Sequence, residues 1–339
     1  MTSSTTGTRP LRVGVIGTGR IGKLHARLLS SQVPGAELAA VADSVAALAE
    51  EVGQSFGAPA VGTERLLDDD SIGAVAICSS TSTHVDLVVR AAEAGKAIFC
   101  EKPVSLELPE VDRALAAVEG AGVPLMVGFN RRFDPSHAAV RESVTKGSVG
   151  RPNLVRITSR DPAPPPISYA RVSGGIFLDM TVHDFDMARF LVGSEVVEVL
   201  AAGTIRAVPE LAEIGDVDTA AILLWHEDEC LTIIDNSRQA SYGYDQRVEV
   251  LGSKGMAASE NPLANSAILK DAAGTRLAAL PYFFIERYTL SYLRQWEAFV
   301  SAVSSGSAVP TSGQDARAAL LLGLAAKKSL SERRPVRTI

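Results

Sequence analysis

A glycine run between a short apolar strand and a helix constrains this chain more than any other stretch. Gly17-Thr18-Gly19-Arg20-Ile21-Gly22 follows a strand predicted over Arg12 to Ile16 and opens a helix predicted from Arg20 to Leu29. The first glycine permits a tight turn, the second lets backbone approach a pyrophosphate, and the third allows close helix–strand packing. Backbone N–H groups and the helix dipole can then hold negative charge.

The residues that follow agree with that reading. A second strand, Glu37 to Ala42, ends at Asp43, about 20 residues past the last glycine, where an acid can bind adenosine ribose hydroxyls. Ser44 is placed to cap the next helix, which leaves Asp43 for a ligand. A carboxylate there repels a 2′-phosphate and no arginine follows it, so the expected cofactor is NAD rather than NADP.

Strands predicted at Gly73 to Cys78, Ala97 to Cys100 and Leu125 to Gly128 alternate with helices at Thr83 to Ala94 and Leu106 to Glu119. That alternation predicts an α/β fold with a doubly wound parallel sheet. Such sheets bind ligands beyond the carboxyl ends of their strands. Ser79, Ser80, Thr81 and His84 follow one strand at that edge, and Glu101-Lys102-Pro103 follow another. They join Gly17, Thr18, Gly19, Arg20, Ile21, Gly22 and Asp43 in the expected cofactor set.

After Asn130 the pattern changes. A helix over Ser136 to Lys146 leads to a strand over Asn153 to Ser159 and a rigid turn, Asp161 to Pro166, that suits a site wall. A helix is predicted from Asp179 to Leu191. Runs over Val196 to Ile205, Asp218 to Trp225, Leu231 to Asp235 and Gln246 to Leu251 then predict a large, mostly antiparallel sheet. The expected division is a tail at 1–10, a nucleotide domain at 11–130 and a substrate and oligomerisation domain at 131–339. The last helix, 314–330, is expected to pack back on the first domain. Ala220 to Trp225 is apolar throughout, whereas a sheet with one wet face alternates, so a second copy of the chain is expected to cover that face.

Composition excludes several classes. With 33 basic and 39 acidic residues the chain carries −6, which gives no reason to expect nucleic acid or an anionic membrane as partner. The first ten residues lack the apolar segment of a secretory signal, and no apolar run approaches the roughly 18 residues of a membrane span. The three cysteines are widely spaced and set in apolar runs, as expected of buried thiols in a reducing cytoplasm.

The chemistry is expected at Asp179 and His183, which would share a helix face roughly 6 Å apart. Oxidising an alcohol requires a group that accepts the hydroxyl proton and a positive charge beside the developing alkoxide. His183 suits the first role and Lys102 the second, with Asp179 orienting the imidazole or holding an adjacent hydroxyl. Arg160, Asp161, Tyr242 and Tyr244 are candidates for ring hydroxyls, the two tyrosines sharing one strand face if no bulge intervenes, with packing as the alternative role of each. The remaining histidines are scattered and no cysteine pair accompanies them, so no metal is expected. His137 and His226 read as surface residues.

At these residues the chain resembles the glucose–fructose oxidoreductase/inositol dehydrogenase (Gfo/Idh/MocA) family. The resemblance includes the glycine loop, Thr81 to His84, Glu101-Lys102-Pro103, Gly128-Phe129-Asn130-Arg131-Arg132-Phe133 and Gly174 to Asp186. It resumes at Gln246 to Gly255 and over Gln314 to Leu330, and it is strongest toward the bacterial inositol-oxidising members. It implies a Rossmann domain joined to an α/β domain whose open sheet packs in a tetramer. It implies a catalytic set of Lys102, Asp179 and His183, a cis Lys102–Pro103 bond, and Arg132 near the cofactor. The implied activity is NAD-dependent oxidation of myo-inositol to 2-keto-myo-inositol, with a small-molecule polyol as the partner. Another cyclitol or sugar (scyllo- or chiro-inositol, glucose) is the nearest alternative, and a non-catalytic NAD-sensing regulator is the alternative of a different class.

Overall fold

The computed structural model describes residues 9–338, so the expected tail at 1–10 lies outside the described residues except for its last two. The chain divides into two compact units: the residues up to Phe129 with Tyr292–Arg317, and Asn130–Ser291 with the residues from Ala318 onward.

In the first unit, β1 (Leu11–Ile16), β2 (Ala36–Ala42), β3 (Ala74–Ile77), β4 (Ala97–Cys100) and β5 (Leu125–Val127) form one sheet, in the order β2-β1-β3-β4-β5. Every pairing is parallel. Its connections hold α1 (Arg20–Ser31), α2 (Ala46–Phe56), α3 (Thr63–Leu67), α4 (Thr81–Glu93) and α5 (Leu108–Ala121). β3, β4 and β5 are buried at every position, as strands covered on both faces must be. The winding direction reverses between β1 and β3, which opens a crevice at their carboxyl ends.

Residues 292–317, expected in the second domain, fold with this unit. Trp296 stacks on Phe99 of β4 with centroids 4.6 Å apart, and Phe299 meets both rings edge-on. The Thr311 hydroxyl donates to the Val127 carbonyl at 2.7 Å. This long-range aromatic packing leaves no local sequence signal.

The second unit contains α6 (Pro135–Thr145), β6 (Pro152–Arg160), α7 (Ile167–Ala170), α8 (Ile176–Asp179), α9 (Val182–Val192), β7 (Val196–Thr204), β8 (Thr219–His226), β9 (Leu231–Ser237), β10 (Asp245–Gly252) and β11 (Gly255–Ser259). A hairpin of β12 (Ile268–Asp271) and β13 (Gly274–Leu277) follows, and α10 (Phe284–Ser305) and α11 (Gly313–Glu332) each run from one unit into the other. With β14 (Val336–Arg337) the strands form a seven-stranded sheet, in the order β11-β10-β6-β9-β8-β7-β14. Only β6 and β9 pair in parallel. α9 packs on one face of this sheet through β6. β8 alternates in burial although its sequence does not alternate: Ile222 and Leu224 are buried, while Ala221 is exposed and Leu223 and Trp225 are half-buried.

Three local expectations change. The single helix from Asp179 to Leu191 is two helices, because Thr181 N–H reaches back to the Ile176 carbonyl and Asp184 N–H takes Thr181 one turn short. His137 and His226 are buried, not on the surface. His226 bonds the Ser194 carbonyl and the Thr232 hydroxyl, and His137 sits against Tyr288. Ser44 does not cap α2; Asp43 accepts the Val45 N–H at 2.9 Å instead.

Candidate functional site

The glycine loop has the geometry that its spacing requires. Gly17 holds a φ of +92°, and a Cβ on it would lie 2.5 Å from the Ser79 backbone nitrogen. A Cβ on Gly22 would sit 1.8 Å from the Gly17 carbonyl oxygen, so α1 closes tightly on β1. A Cβ on Gly19 would meet nothing within 4 Å, which leaves open space beside the first amides of α1. Exposed Arg20 and half-buried Ile21 begin the helix. Asp43 reaches across from the end of β2: its carboxylate accepts the Thr18 N–H at 2.7 Å and the Thr18 hydroxyl at 3.0 Å. Burial alone would raise the Asp43 pKa, but the Thr18 and Val45 N–H groups hold it below the usual carboxylate value. An open cradle with an ionised acid at its rim fits an adenine dinucleotide with free ribose hydroxyls.

The neighbouring loops are more self-contained than their composition suggests. The Ser79 and Thr83 hydroxyls bond each other at 2.7 Å, and half-buried Thr81 starts α4 after Ser80. His84 is buried, with Nδ1 facing the Pro103 carbonyl at 2.9 Å and Nε2 facing the Ser79 carbonyl at 3.0 Å. Burial lowers its pKa. Its ring thus ties together the two loops expected to meet the cofactor, one nitrogen donating to a carbonyl and the other facing one.

Beneath Lys102 lies a chain of groups that sequence reasoning missed. The Trp296 indole N–H donates to His25 Nδ1 at 2.9 Å, and His25 Nε2 lies 2.8 Å from Glu101 Oε1. An indole nitrogen is only a donor, so Nδ1 is the acceptor and the imidazole proton sits on Nε2, facing the carboxylate. Glu101 Oε2 accepts the Lys102 N–H at 3.2 Å, and the Lys102–Pro103 bond is cis. The one available signal was a histidine on the buried, otherwise apolar face of α1.

In the second unit, a buried network flanks His183 on both sides. The Thr181 hydroxyl bonds Asn236 Oδ1 at 2.5 Å, and Asn236 Nδ2 bonds Asp184 Oδ2 at 2.8 Å. Arg131 Nη1 donates to Asp184 Oδ1 at 2.6 Å and to the Ser159 hydroxyl at 2.6 Å. The break between α8 and α9 is therefore pinned to β6 and β9. Asp179 ends α8, with Oδ1 accepting the Tyr169 hydroxyl at 2.9 Å and Oδ2 facing Arg238 at 3.4 and 3.5 Å. Partly buried Asp161 adjoins this group. Desolvation raises its pKa to about 6, against the pull of Arg238 and Arg131.

Arg160 and Tyr242 lie on the other face of the sheet. Arg160 pairs with Asp235 at 2.6 Å and with the Tyr242 hydroxyl at 3.0 Å, over a depression of about 600 Å³ on the sheet. Its strand neighbour Ser159 points the other way, to Asp184 of α9, and successive strand residues face opposite sides. Tyr242 and Tyr244 do not share a face. Gly243 turns the chain between them at a φ of +126°, leaving Tyr242 52% exposed and Tyr244 7% exposed against Tyr288. Arg132 forms an ion pair with Asp186, its Nε 2.9 Å from Oδ2, and covers Phe190. Among the described residues, no group of three His, Cys, Asp or Glu could hold a metal, and no helix is long and apolar enough to cross a membrane.

Comparison with known proteins bears on both units. Residues 11–129 match the model of an oxidoreductase family with an NAD-binding Rossmann fold, and residues 137–258 match that of the GFO/IDH/MocA C-terminal domain. The chain is 48% identical to myo-inositol 2-dehydrogenase of Thermotoga maritima, over 96% of its own length and 98% of that protein. It is 44% identical to inositol 2-dehydrogenase of Rhizobium meliloti, over 96% and 98%. A crystal structure of scyllo-inositol dehydrogenase from Lactobacillus casei, with bound NAD(H) and scyllo-inositol, superposes with a TM-score of 0.90 at 28% identity, over 97% of this chain and 99% of that one.

Proposed function

The chain belongs to the Gfo/Idh/MocA family of NAD-dependent oxidoreductases, and from that premise we propose that it oxidises myo-inositol at one secondary hydroxyl to 2-keto-myo-inositol. The observation that carries this reading is the likeness, over nearly the whole length, to relatives named for inositol oxidation. Gly17 to Gly22, Asp43, Ser79 to Thr81, Glu101 and Lys102 hold NAD, which when bound accepts the hydride leaving the substrate carbon. His183 takes the hydroxyl proton, a general-base role that an imidazole nitrogen can fill. The Lys102 ammonium stabilises the oxygen as it becomes an alkoxide. Asp179 accepts a substrate hydrogen bond and orients the ring, with Asp161 beside it.

We further infer a homo-oligomer, in the form of a tetramer, working in the cytoplasm in inositol catabolism. Support for assembly comes from apolar side chains on the outer sheet face, where Ile233 is 37% exposed, Leu251 44% and Met256 57%. Light scattering of the purified protein tests it.

The decisive experiment incubates the protein with NAD or NADP and myo-, scyllo- or chiro-inositol or glucose, and follows reduced-nicotinamide absorbance. The expected result is fastest turnover of myo-inositol with NAD. Preference for scyllo-inositol would support a second reading, favoured by the likeness to the scyllo-inositol enzyme. Tight NAD binding without turnover of any polyol would indicate a sensing role. His183→Ala should abolish turnover while NAD still binds, Lys102→Ala should abolish turnover with NAD binding weakened but not lost, and near-normal turnover in either refutes its role.

A further inference from the structure

Arg238 follows β9 and is 1% exposed, yet its hydrogen bonds are not those of a structural arginine. Arg131, buried in the same unit, makes two bonds of 2.6 Å. By contrast, Arg238 approaches Asp179 Oδ2 at 3.4 and 3.5 Å and Asp216 Oδ2 at 3.9 Å, and its Nε makes no hydrogen bond to the described residues. Buried donors in a finished core are satisfied, whereas catalytic hydrogen bonds are often long before substrate arrives. Asp216 is already engaged, since its Oδ1 caps α8 by accepting the Ile176 N–H at 2.9 Å. That cap fixes the short helix that ends at Asp179.

We propose that Arg238 is a positioning residue for the alcohol oxidation: its buried guanidinium is the shared counter-charge of Asp179, Asp216 and Asp161 and holds the Asp179 carboxylate toward substrate. The inference rests on the role assigned to Asp179 above. With Tyr169 on one oxygen and Arg238 on the other, both acceptor edges of Asp179 are set before a polyol binds. Among the described residues, the groups facing this cluster include Tyr169 from α7, Asp179 from α8, Asp216 before β8 and Asp161 after β6. Arg131, Asp184 and Tyr244 lie behind Asp161. Arg238 and Arg131 pull the Asp161 carboxyl down, while desolvation and the charges of Asp179 and Asp184 push it up. Removing Arg238 therefore moves Asp161 further toward neutrality and takes one of the groups that hold the Asp179 carboxylate away from it.

Arg238→Met and Arg238→Lys test this. Arg238→Met is expected to lower kcat for the polyol by about 10- to 100-fold, the scale of a misplaced reacting group, while leaving NAD affinity within about twofold. The acid limb of its kcat/KM profile should move up by about one pH unit, as expected when a carboxylate loses an adjacent cation. Arg238→Lys should restore the limb and most of kcat. If Arg238→Met folds poorly, Arg238→Gln serves in its place, and adding Asp161→Asn to either should cancel the limb shift. Wild-type turnover with an unshifted limb and unchanged kcat in these variants overturns the inference. No polyol turnover by the wild type overturns the reading beneath it, and the inference with it.

Discussion

Replacing His25 by leucine should cost the protein about 3 kcal/mol of stability and disturb the Lys102 backbone. His25 is fully buried, and it separates a carboxylate that needs donors from an indole that needs an acceptor. A hydrogen bond to a charged group contributes roughly 1.5–3 kcal/mol, and orphaning the buried Trp296 N–H costs roughly 1–3 kcal/mol. Burying the extra apolar surface of leucine returns about 1–2 kcal/mol. The net loss is a large fraction of the roughly 5–15 kcal/mol that holds a typical domain folded. The assay is urea unfolding of wild type, His25→Leu and His25→Gln, together with steady-state kinetics at saturating NAD. Glutamine keeps a donor toward Glu101, so it should recover part of both the stability and the kcat that leucine loses. A leucine variant within about 0.5 kcal/mol of wild type, an ordinary surface effect, would refute the assigned tautomer and the role of the chain beneath Lys102.

The glycine loop separates folding from binding. Gly22→Ala should prevent α1 from closing on β1, abolishing NAD binding and lowering the melting temperature, because its Cβ meets the Gly17 carbonyl. Gly19→Ala should leave stability unchanged but weaken NAD binding at least about tenfold in a fluorescence titration, since the space it fills is that of the pyrophosphate. Acid stability should depend on His137, whose pKa burial lowers to about 4, with the neighbouring Arg287 and Arg131 cations pushing the same way. Its folded value lies below its unfolded one, so this stabilisation is full above about pH 6.5 and is lost as pH falls toward 4. His137→Leu should flatten that slope in denaturation curves at graded pH, and an unchanged slope would remove His137 as its cause.

What was legible in the sequence was what neighbouring residues impose on one another. The glycine spacing, the apolar strands β1 to β5 and the Glu-Lys-Pro turn express sterics and periodicity over a few residues, and the structure keeps them almost to the residue. The cap was assigned to the wrong neighbour, since Asp43 makes its own turn and Ser44 leaves α2 uncapped. Helix periodicity ran on through Met180 and Thr181, where hydrogen bonds to β9 outweigh a continuous helix. Tertiary structure alone decided which charges meet. Arg238 reaches Asp179 from 59 residues away, and Trp296 reaches His25 from 271. Strand parity sends Arg160 away from Asp184 although Ser159 beside it points there. A buried charge or imidazole costs free energy until a partner is supplied, and the partner comes from wherever the chain returns, so no local pattern records it.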